Sequence, residues 1–417
     1  MRLLYTLGLY LYTFGIRVAA LCGHRRAALM AHGWHAGPVE RDGTGRPWAW
    51  FHAASLGEFE QARPVLEEFR RRHPEYRVLL TFFSPSGYEV RKGYNQADAV
   101  RYLPMDTPRN ARRLIGTVRP SVAFFVKYEF WYNYLGELHR QGVPTYLISA
   151  IFRPTQYFFK PWGRWFRGQL GRCFTHLFVQ NEESLHLLES HGIGHCTLAG
   201  DTRFDRVHQI AAAAEDDAVT ERFLSGSEGS VMVAGSTWPP DEALLAQVRQ
   251  AGRSRFPDRL ILAPHVIDEA HLQQLESLFP DSVRYSALVA PQAGAQAVPE
   301  EKRVLVIDNI GLLSRLYRYA DVAYVGGGFG VGIHNLLEAV TFGKPVLFGP
   351  NHGKFQEALD LLACGGGFSH GDATQLAAHL DRLLADPDAY RRASQACLDY
   401  MNAHLGSTET ILRTIEK

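Results

Sequence analysis

Trp50-Phe-His-Ala-Ala-Ser-Leu-Gly-Glu58-Phe-Glu60 is the stretch on which the fold turns. Trp48 to Ala53 predicts a buried strand. Ser55-Leu-Gly57 then breaks it, with Ser55 as a helix N-cap and Gly57 as a point where backbone can come close to a ligand. Glu60 to Arg72 carries apolar residues at Ala62, Val65, Leu66 and Phe69, which is helix spacing. This is a strand–loop–helix unit with Glu58 on its loop. In open α/β sheets the carboxyl ends of strands hold the chemistry. A carboxylate there can act as general base on a hydroxyl. The competing reading is an acid that merely decorates a helix first turn, where the macrodipole favours it.

The alternation continues outward. Strands are expected at 48–53, 78–83, 99–102, 121–126, 144–149 and 175–179, with helical patterns between them. Met232-Val-Ala234 restarts it, followed by strands at 259–263, 303–307, 321–325 and 345–348. Such alternation implies parallel sheets covered by helices on both faces. The fold class is therefore α/β, with two doubly wound Rossmann-like domains and a cleft between them. This is the GT-B architecture, shared with other two-domain binders, so fold alone leaves function open. The domains are expected at 23–209 and 230–417, joined by the polar, Ala-rich piece 210–229.

A second stretch adds a ligand signal. Asp321-Val-Ala-Tyr-Val-Gly326-Gly-Gly-Phe-Gly-Val-Gly332-Ile-His334-Asn335-Leu-Leu-Glu338 reads as a buried strand, a glycine-rich turn and a helix. Amide N–H groups in such a turn can face an anion, and the helix start adds a positive dipole end. It matches neither the dinucleotide fingerprint nor a P-loop. Next comes Phe342-Gly-Lys-Pro345-Val-Leu-Phe-Gly349-Pro350, another strand ending in a Gly- and Pro-rich turn. Two neighbouring strands with such ends suggest a nucleotide crevice.

The chain has 417 residues, 46% hydrophobic, with a net charge of +1. That length suits two domains and that charge gives no global drive toward nucleic acid. Five scattered cysteines (Cys22, Cys173, Cys196, Cys364, Cys397) without CxxC spacing point away from a disulfide framework or zinc site. No carboxylate or histidine spacing suggests an obligatory metal. Leu3 to Leu21 is apolar and tyrosine-rich, with Arg2 before it and Arg25-Arg26 after. Residues 1–22 are read as a membrane anchor, either a short span or a helix lying in the interface; a packing helix of the first domain is the alternative. His52 and the other histidines are read as structural or surface groups, and the aromatic stretch Phe152 to Phe166 mainly as core.

The motifs, taken in order, resemble the Kdo transferases, which move 3-deoxy-D-manno-octulosonic acid (Kdo) from CMP-Kdo onto a lipid A precursor. The resemblance runs through His52-Ala-Ala-Ser-Leu-Gly-Glu58, Tyr102-Leu-Pro-Met-Asp-Thr-Pro108, Lys127-Tyr-Glu129-Phe-Trp-Tyr-Asn133 and Gly200-Asp-Thr-Arg203-Phe-Asp205. It continues in Gly235-Ser-Thr-Trp238-Pro-Pro-Asp-Glu242, Ala263-Pro-His265, Asp308-Asn-Ile-Gly311-Leu-Leu and His334-Asn-Leu-Leu-Glu338. It implies an inverting glycosyltransferase on the cytoplasmic side of the bacterial inner membrane. Its donor would be CMP-Kdo, its acceptor lipid IVA, and no cofactor would be obligatory. By the same resemblance Glu58 is the catalytic base, Arg203 steadies transition-state charge, and Glu129 is a further acidic site residue. CMP contacts would come from Pro264, His265, Ile310, Gly311, Leu312, Asn335, Leu336, Leu337 and Glu338, with Ser236, Gly327 and Gly328 beside them. The chain has His265 where Arg is common, Leu312 for Glu, Arg203 for Lys and Gly328 for Ser. The rival readings are another membrane-associated GT-B enzyme using a UDP-sugar, and a tethered nucleotide-binding module without turnover.

Overall fold

Strands buried on both faces read as continuous apolar runs, and that is how both sheets of this chain are built. The computed structural model describes residues 1–34, 45–252, 255–289, 298–299, 301–330 and 332–417; Val331, within the glycine-rich stretch, lies outside them. The chain divides into two units, residues 1–206 with 405–417 and residues 207–404.

The first unit holds β1 (Trp48–Ala53), β2 (Arg77–Phe82), β3 (Ala99–Tyr102), β4 (Pro120–Val126), β5 (Thr145–Ala150), β6 (His176–Val179) and β7 (Cys196–Leu198). They form one parallel sheet in the order β3-β2-β1-β4-β5-β6-β7. Alternation along β1 sends Ala49, Phe51 and Ala53 into one apolar layer and Trp48 and Trp50 into the other. The order reverses direction between β1 and β4, which makes their carboxyl ends the switch point of a doubly wound sheet.

The second unit holds β8 (Val231–Thr237), β9 (Arg259–Pro264), β10 (Ser282–Arg284), β11 (Val304–Val306), β12 (Val322–Val325), β13 (Val346–Phe348) and β14 (Gly367–Ser369). The order is β10-β11-β9-β8-β12-β13-β14, so its switch point lies between β8 and β12. Each unit is thus doubly wound, as expected for the GT-B class.

The division differs from the expected one at both joints. Residues 210–229 are not a bare connection, because helix Thr202–Ala212 runs into them and helix Ala218–Leu224 follows. Helix Ser407–Ile415 returns to the first unit, burying Ile411 and Leu412 beside Val65 and Phe69. The Asp205 carboxylate accepts the N–H groups of Gly406 at 2.8 Å and Thr408 at 2.6 Å, fixing that return. These contacts join residues far apart in sequence, so no local pattern signals them.

At the amino end, helix Arg2–Leu21 is long and apolar enough to cross a membrane, by length and composition alone. Helix Arg25–Gly33 comes next. The aromatic stretch is divided: Phe152 and Phe158 are buried core, whereas Trp162 is exposed.

Candidate functional site

Both switch points gather the residues singled out from sequence. In the first unit β1 ends at Ala53, and Ser55, with extended backbone, starts helix Leu56–Arg72. Ser55 and Glu58 have capping-box spacing. Here, however, the Ser55 hydroxyl donates to Glu58 Oε2 and accepts no helix N–H. Glu58 is half-buried, so one carboxylate oxygen is held while the group stays within reach of solvent. Glu60, two residues on, turns to Arg91 at 2.8 Å and Arg206 at 3.5 Å.

Glu129 stands on the loop that leaves β4, the neighbouring strand. Lys127 opens that loop at φ 62, a left-handed conformation. Glu129 Oε2 accepts Trp131 Nε1–H at 2.5 Å and lies 3.1 Å from His52 Nε2. His52 is fully buried, and its Nδ1 is 2.9 Å from Thr81 Oγ1, which accepts Trp50 Nε1–H at 2.8 Å. Nδ1 also lies 3.1 Å from the Thr81 carbonyl oxygen and Trp131 Nε1–H is 2.9 Å from Nε2, so Thr81 presents a carbonyl acceptor to one ring nitrogen while Trp131 and Glu129 meet at the other. The histidine set aside in the sequence is therefore the group that fixes Glu129. Its position at the end of β1, just before the Ser55–Glu58 loop, was the available signal. Burial raises the Tyr128 phenol pKa, Arg153 opposes, and the Glu58 charge adds to it, so the two acidic loops share one neighbourhood.

Arg203 lies in the first turn of helix Thr202–Ala212. Its Nε donates to Asp201 Oδ2 at 2.8 Å, and Gln61 donates to Asp201 Oδ1 at 3.1 Å. Gln61 lies one turn beyond Glu58, and Thr202 Oγ1 donates to its carbonyl at 2.6 Å. Arg203 is thereby tied to the helix that carries Glu58, with its charge shared with Asp201.

In the second unit Ser236, next to last in β8, stands at φ 52, and β9 ends in Pro264. His265 N–H donates to the Thr237 carbonyl at 2.9 Å. The Trp238 and His265 rings stack at 4.7 Å, and His265 stacks on His334 at 4.5 Å. Trp238 Nε1–H donates to His334 Nε2 at 3.1 Å. Burial lowers the His334 pKa, the His265 charge lowers it further, and Asp241 opposes.

Asp241 is the organising residue that sequence reasoning passed over. Fully buried, it accepts the Trp238 N–H, the Gly327 N–H and the Tyr324 hydroxyl, each at 2.9 Å. The Gly327 amide is thus committed to a carboxylate within the protein. Gly327 has φ 92, which suits glycine alone. A Cβ on Gly328 would meet Gly349 Cα at 2.6 Å, so the turns after β12 and β13 pack glycine on glycine. That contact explains why a serine is absent at 328.

The helix after the turn is only Leu337–Val340, too short to supply the dipole end expected of it. Asn335 donates to Glu338 Oε1 at 3.0 Å and accepts the Leu337 N–H at 3.2 Å. The side chains of Leu336 and Leu337 are core. Ile310 is 93% exposed, Gly311 has φ 99 and Leu312 is 6% exposed, so of the two side chains here only that of Ile310 is outward. Burial holds the Tyr317 phenol pKa high and the Glu338 charge adds to it. Among the described residues no group of three or more His, Cys, Asp or Glu is placed to hold a metal ion.

Residues 26–206 match the family model described as 3-deoxy-D-manno-octulosonic-acid transferase (kdotransferase). The 3-deoxy-D-manno-octulosonic acid transferase of Bordetella pertussis is 30% identical over 386 residues, covering 88% of this chain and 86% of that protein. That of Aquifex aeolicus (strain VF5) is 27% identical, covering 81% and 86%. Among solved structures, UDP-GlcNAc 2-epimerase from Neisseria meningitidis, bound to UDP-GlcNAc, aligns with a TM-score of 0.61 at 14% identity, covering 88% of this chain and 99% of that one. The calicheamicin glycosyltransferase CalG4 aligns with a TM-score of 0.55 at 11% identity, covering 89% and 98%. At those identities the structures speak for the two-domain fold alone. The sequence relatives carry more: the chain belongs to the 3-deoxy-D-manno-octulosonic acid transferases, a family of glycosyltransferases.

Proposed function

We propose that this enzyme transfers Kdo from CMP-Kdo to a lipid A precursor, lipid IVA, with inversion at the anomeric carbon. It would work at the cytoplasmic face of the bacterial inner membrane, with Glu58 as general base. The observation that carries the reading is the placing of the two acidic loops at the β1/β4 switch point of one sheet. The Trp238–His265–His334 cluster and the glycine turn at the β8/β12 switch point of the other sheet support a separate donor site.

A sugar hydroxyl is a weak nucleophile at neutral pH, so a carboxylate must take its proton as attack proceeds. Glu58 has the exposure and the single Ser55 hydrogen bond that such a base needs. The attacking oxygen forms its bond to the anomeric carbon as the bond to the CMP phosphate oxygen breaks. CMP leaves with an added negative charge, which His265 is proposed to meet, and Arg203 is proposed to steady charge in the transition state. Asn335 and Glu338, already bonded to each other, offer a carboxylate and an amide to a ribose. Glu129, held by His52 and Trp131, is proposed to orient the acceptor.

Purified protein, CMP-Kdo and a tetraacylated bisphosphorylated disaccharide make the decisive assay. CMP should bind and UDP should not. Glu58→Gln should lower turnover about 10²–10⁴-fold, the usual worth of general-base assistance, with CMP affinity retained. Glu60→Gln should be far milder, since that side chain serves ion pairs to Arg91 and Arg206. Near-full turnover in a folded Glu58→Gln protein would move the base elsewhere, with Glu129 next.

A further inference from the structure

The first 34 residues contain four arginines and no aspartate or glutamate. Within helix Arg2–Leu21, Tyr5, Thr6, Leu9, Thr13, Ile16, Ala19 and Ala20 are half-buried, a stripe at helical spacing along its whole length. That stripe rests on protein. Arg2 Nε donates to Asn133 Oδ1 at 2.9 Å, Tyr5 Oη donates to Asp106 Oδ2 at 2.8 Å, and Asn133 donates to Thr6 Oγ1 at 3.3 Å. Further along, the Tyr12 ring stacks on Phe83 at 6.5 Å. Helix Arg25–Gly33 then returns to the same body, where Trp34 lies 5.9 Å from Phe83. The opposite face carries Leu3, Leu7, Leu11, Phe14, Val18 and Leu21, all exposed, with Leu3 at 86% and Phe14 at 68%.

A bilayer core of about 30 Å needs about 20 residues at 1.5 Å each. Here the segment from Arg2 to Tyr12 is already fastened to the first unit, and the remainder of the helix is too short to span. A hairpin through the bilayer would also carry Arg25 and Arg26 into hydrocarbon, which is costly. We infer that helix Arg2–Leu21 lies in the plane of an anionic phospholipid surface, its Leu3–Leu7–Leu11–Phe14–Val18 stripe buried among acyl chains and its other face on the first unit. The arginines at 17, 25 and 26 supply the charge that such a surface attracts. This rests on the membrane association proposed above and decides its geometry: the helix is an in-plane float fixed to the enzyme.

Spin labels on single cysteines test it, in full-length protein with Cys22, Cys196 and Cys364 changed to serine, bound to phosphatidylethanolamine/phosphatidylglycerol vesicles. Labels at positions 3, 7, 14 and 18 should share one shallow depth, and labels at 9, 13 and 16 should be shielded from both lipid-soluble oxygen and aqueous nickel. A spanning helix would instead separate positions 7 and 18 by about 16 Å in depth, which overturns the inference. So would binding to vesicles with no label in lipid, or with the stripe covered by a second copy of the chain. Failure to bind vesicles at all would remove the membrane reading itself.

Discussion

Asp241→Ala should be among the most damaging single changes in the second unit. The carboxylate is fully buried and takes three donors, Trp238 N–H, Gly327 N–H and Tyr324 Oη–H, each at 2.9 Å. A hydrogen bond to a charged group contributes about 1.5–3 kcal/mol, and a buried donor left without a partner costs about 1–3 kcal/mol. Removing the acceptor from all three, with some relief from entering water, gives a loss of about 3–6 kcal/mol. Asp241→Asn has the same shape. Its carbonyl oxygen can take both backbone donors while its amide donates to Tyr324 Oη, so the loss should be nearer 1–2 kcal/mol, roughly that of charge assistance alone. Tyr324→Phe removes one bond and should resemble Asp241→Asn. Because Asp241 joins the end of β8 to the glycine turn after β12, Asp241→Ala should also weaken CMP binding by about tenfold or more, which is about 1.4 kcal/mol. Urea unfolding together with amide exchange over 322–330 reads the first quantity, and calorimetry with CMP reads the second. If Asp241→Ala lies within about 1 kcal/mol of the parent and binds CMP equally well, the carboxylate does not organise this site.

Three further outcomes are expected. His370 is buried with neither ring nitrogen partnered, and burial lowers its pKa to about 4 from an ordinary 6.5. The unfolded chain binds the proton first, so stability is full above pH 6.5 and falls toward pH 4. The loss is on the order of 3 kcal/mol and His370→Phe should erase it, as acid denaturation curves would reveal. Gly328→Ser places a Cβ 2.6 Å from Gly349 Cα and should destabilise by about 1–3 kcal/mol while weakening CMP binding; unchanged melting and affinity would remove the packing argument. His52→Phe keeps the ring and loses both nitrogens, so kcat should drop about tenfold to a hundredfold, the worth of one charged hydrogen bond, with CMP affinity intact and Glu129→Gln adding little further loss.

The strands legible in sequence are the central ones and the edge strand β3, because a parallel strand buried on both faces must be a continuous apolar run and Ala99–Tyr102 keeps three of its four residues buried. β7, β10 and β14 were missed; each is three residues long and lies at a sheet edge, where burial and hence pattern are weakest. Glu58 was legible because its loop directly follows a strong strand. Asp241 was not, since two of its three partners, Tyr324 and Gly327, are more than eighty residues away. His52 looked like an ordinary core residue until Glu129 arrived from another strand. The glycine turn suggested an anion cradle, but tertiary structure gave the Gly327 amide to a carboxylate instead.

The crossing of helix Ser407–Ile415 back to the first unit has a consequence for biogenesis. During synthesis the helix emerges only after the whole of 207–404, so the face of helix Leu56–Arg72 that receives Ile411 and Leu412 stays open to solvent until then. The first unit begins to form first and closes last. An apolar groove left open for that long invites aggregation or a holding chaperone. A ribosome stalled inside 207–404 would therefore display a unit whose sheet is complete and whose apolar layer still lacks its final helix.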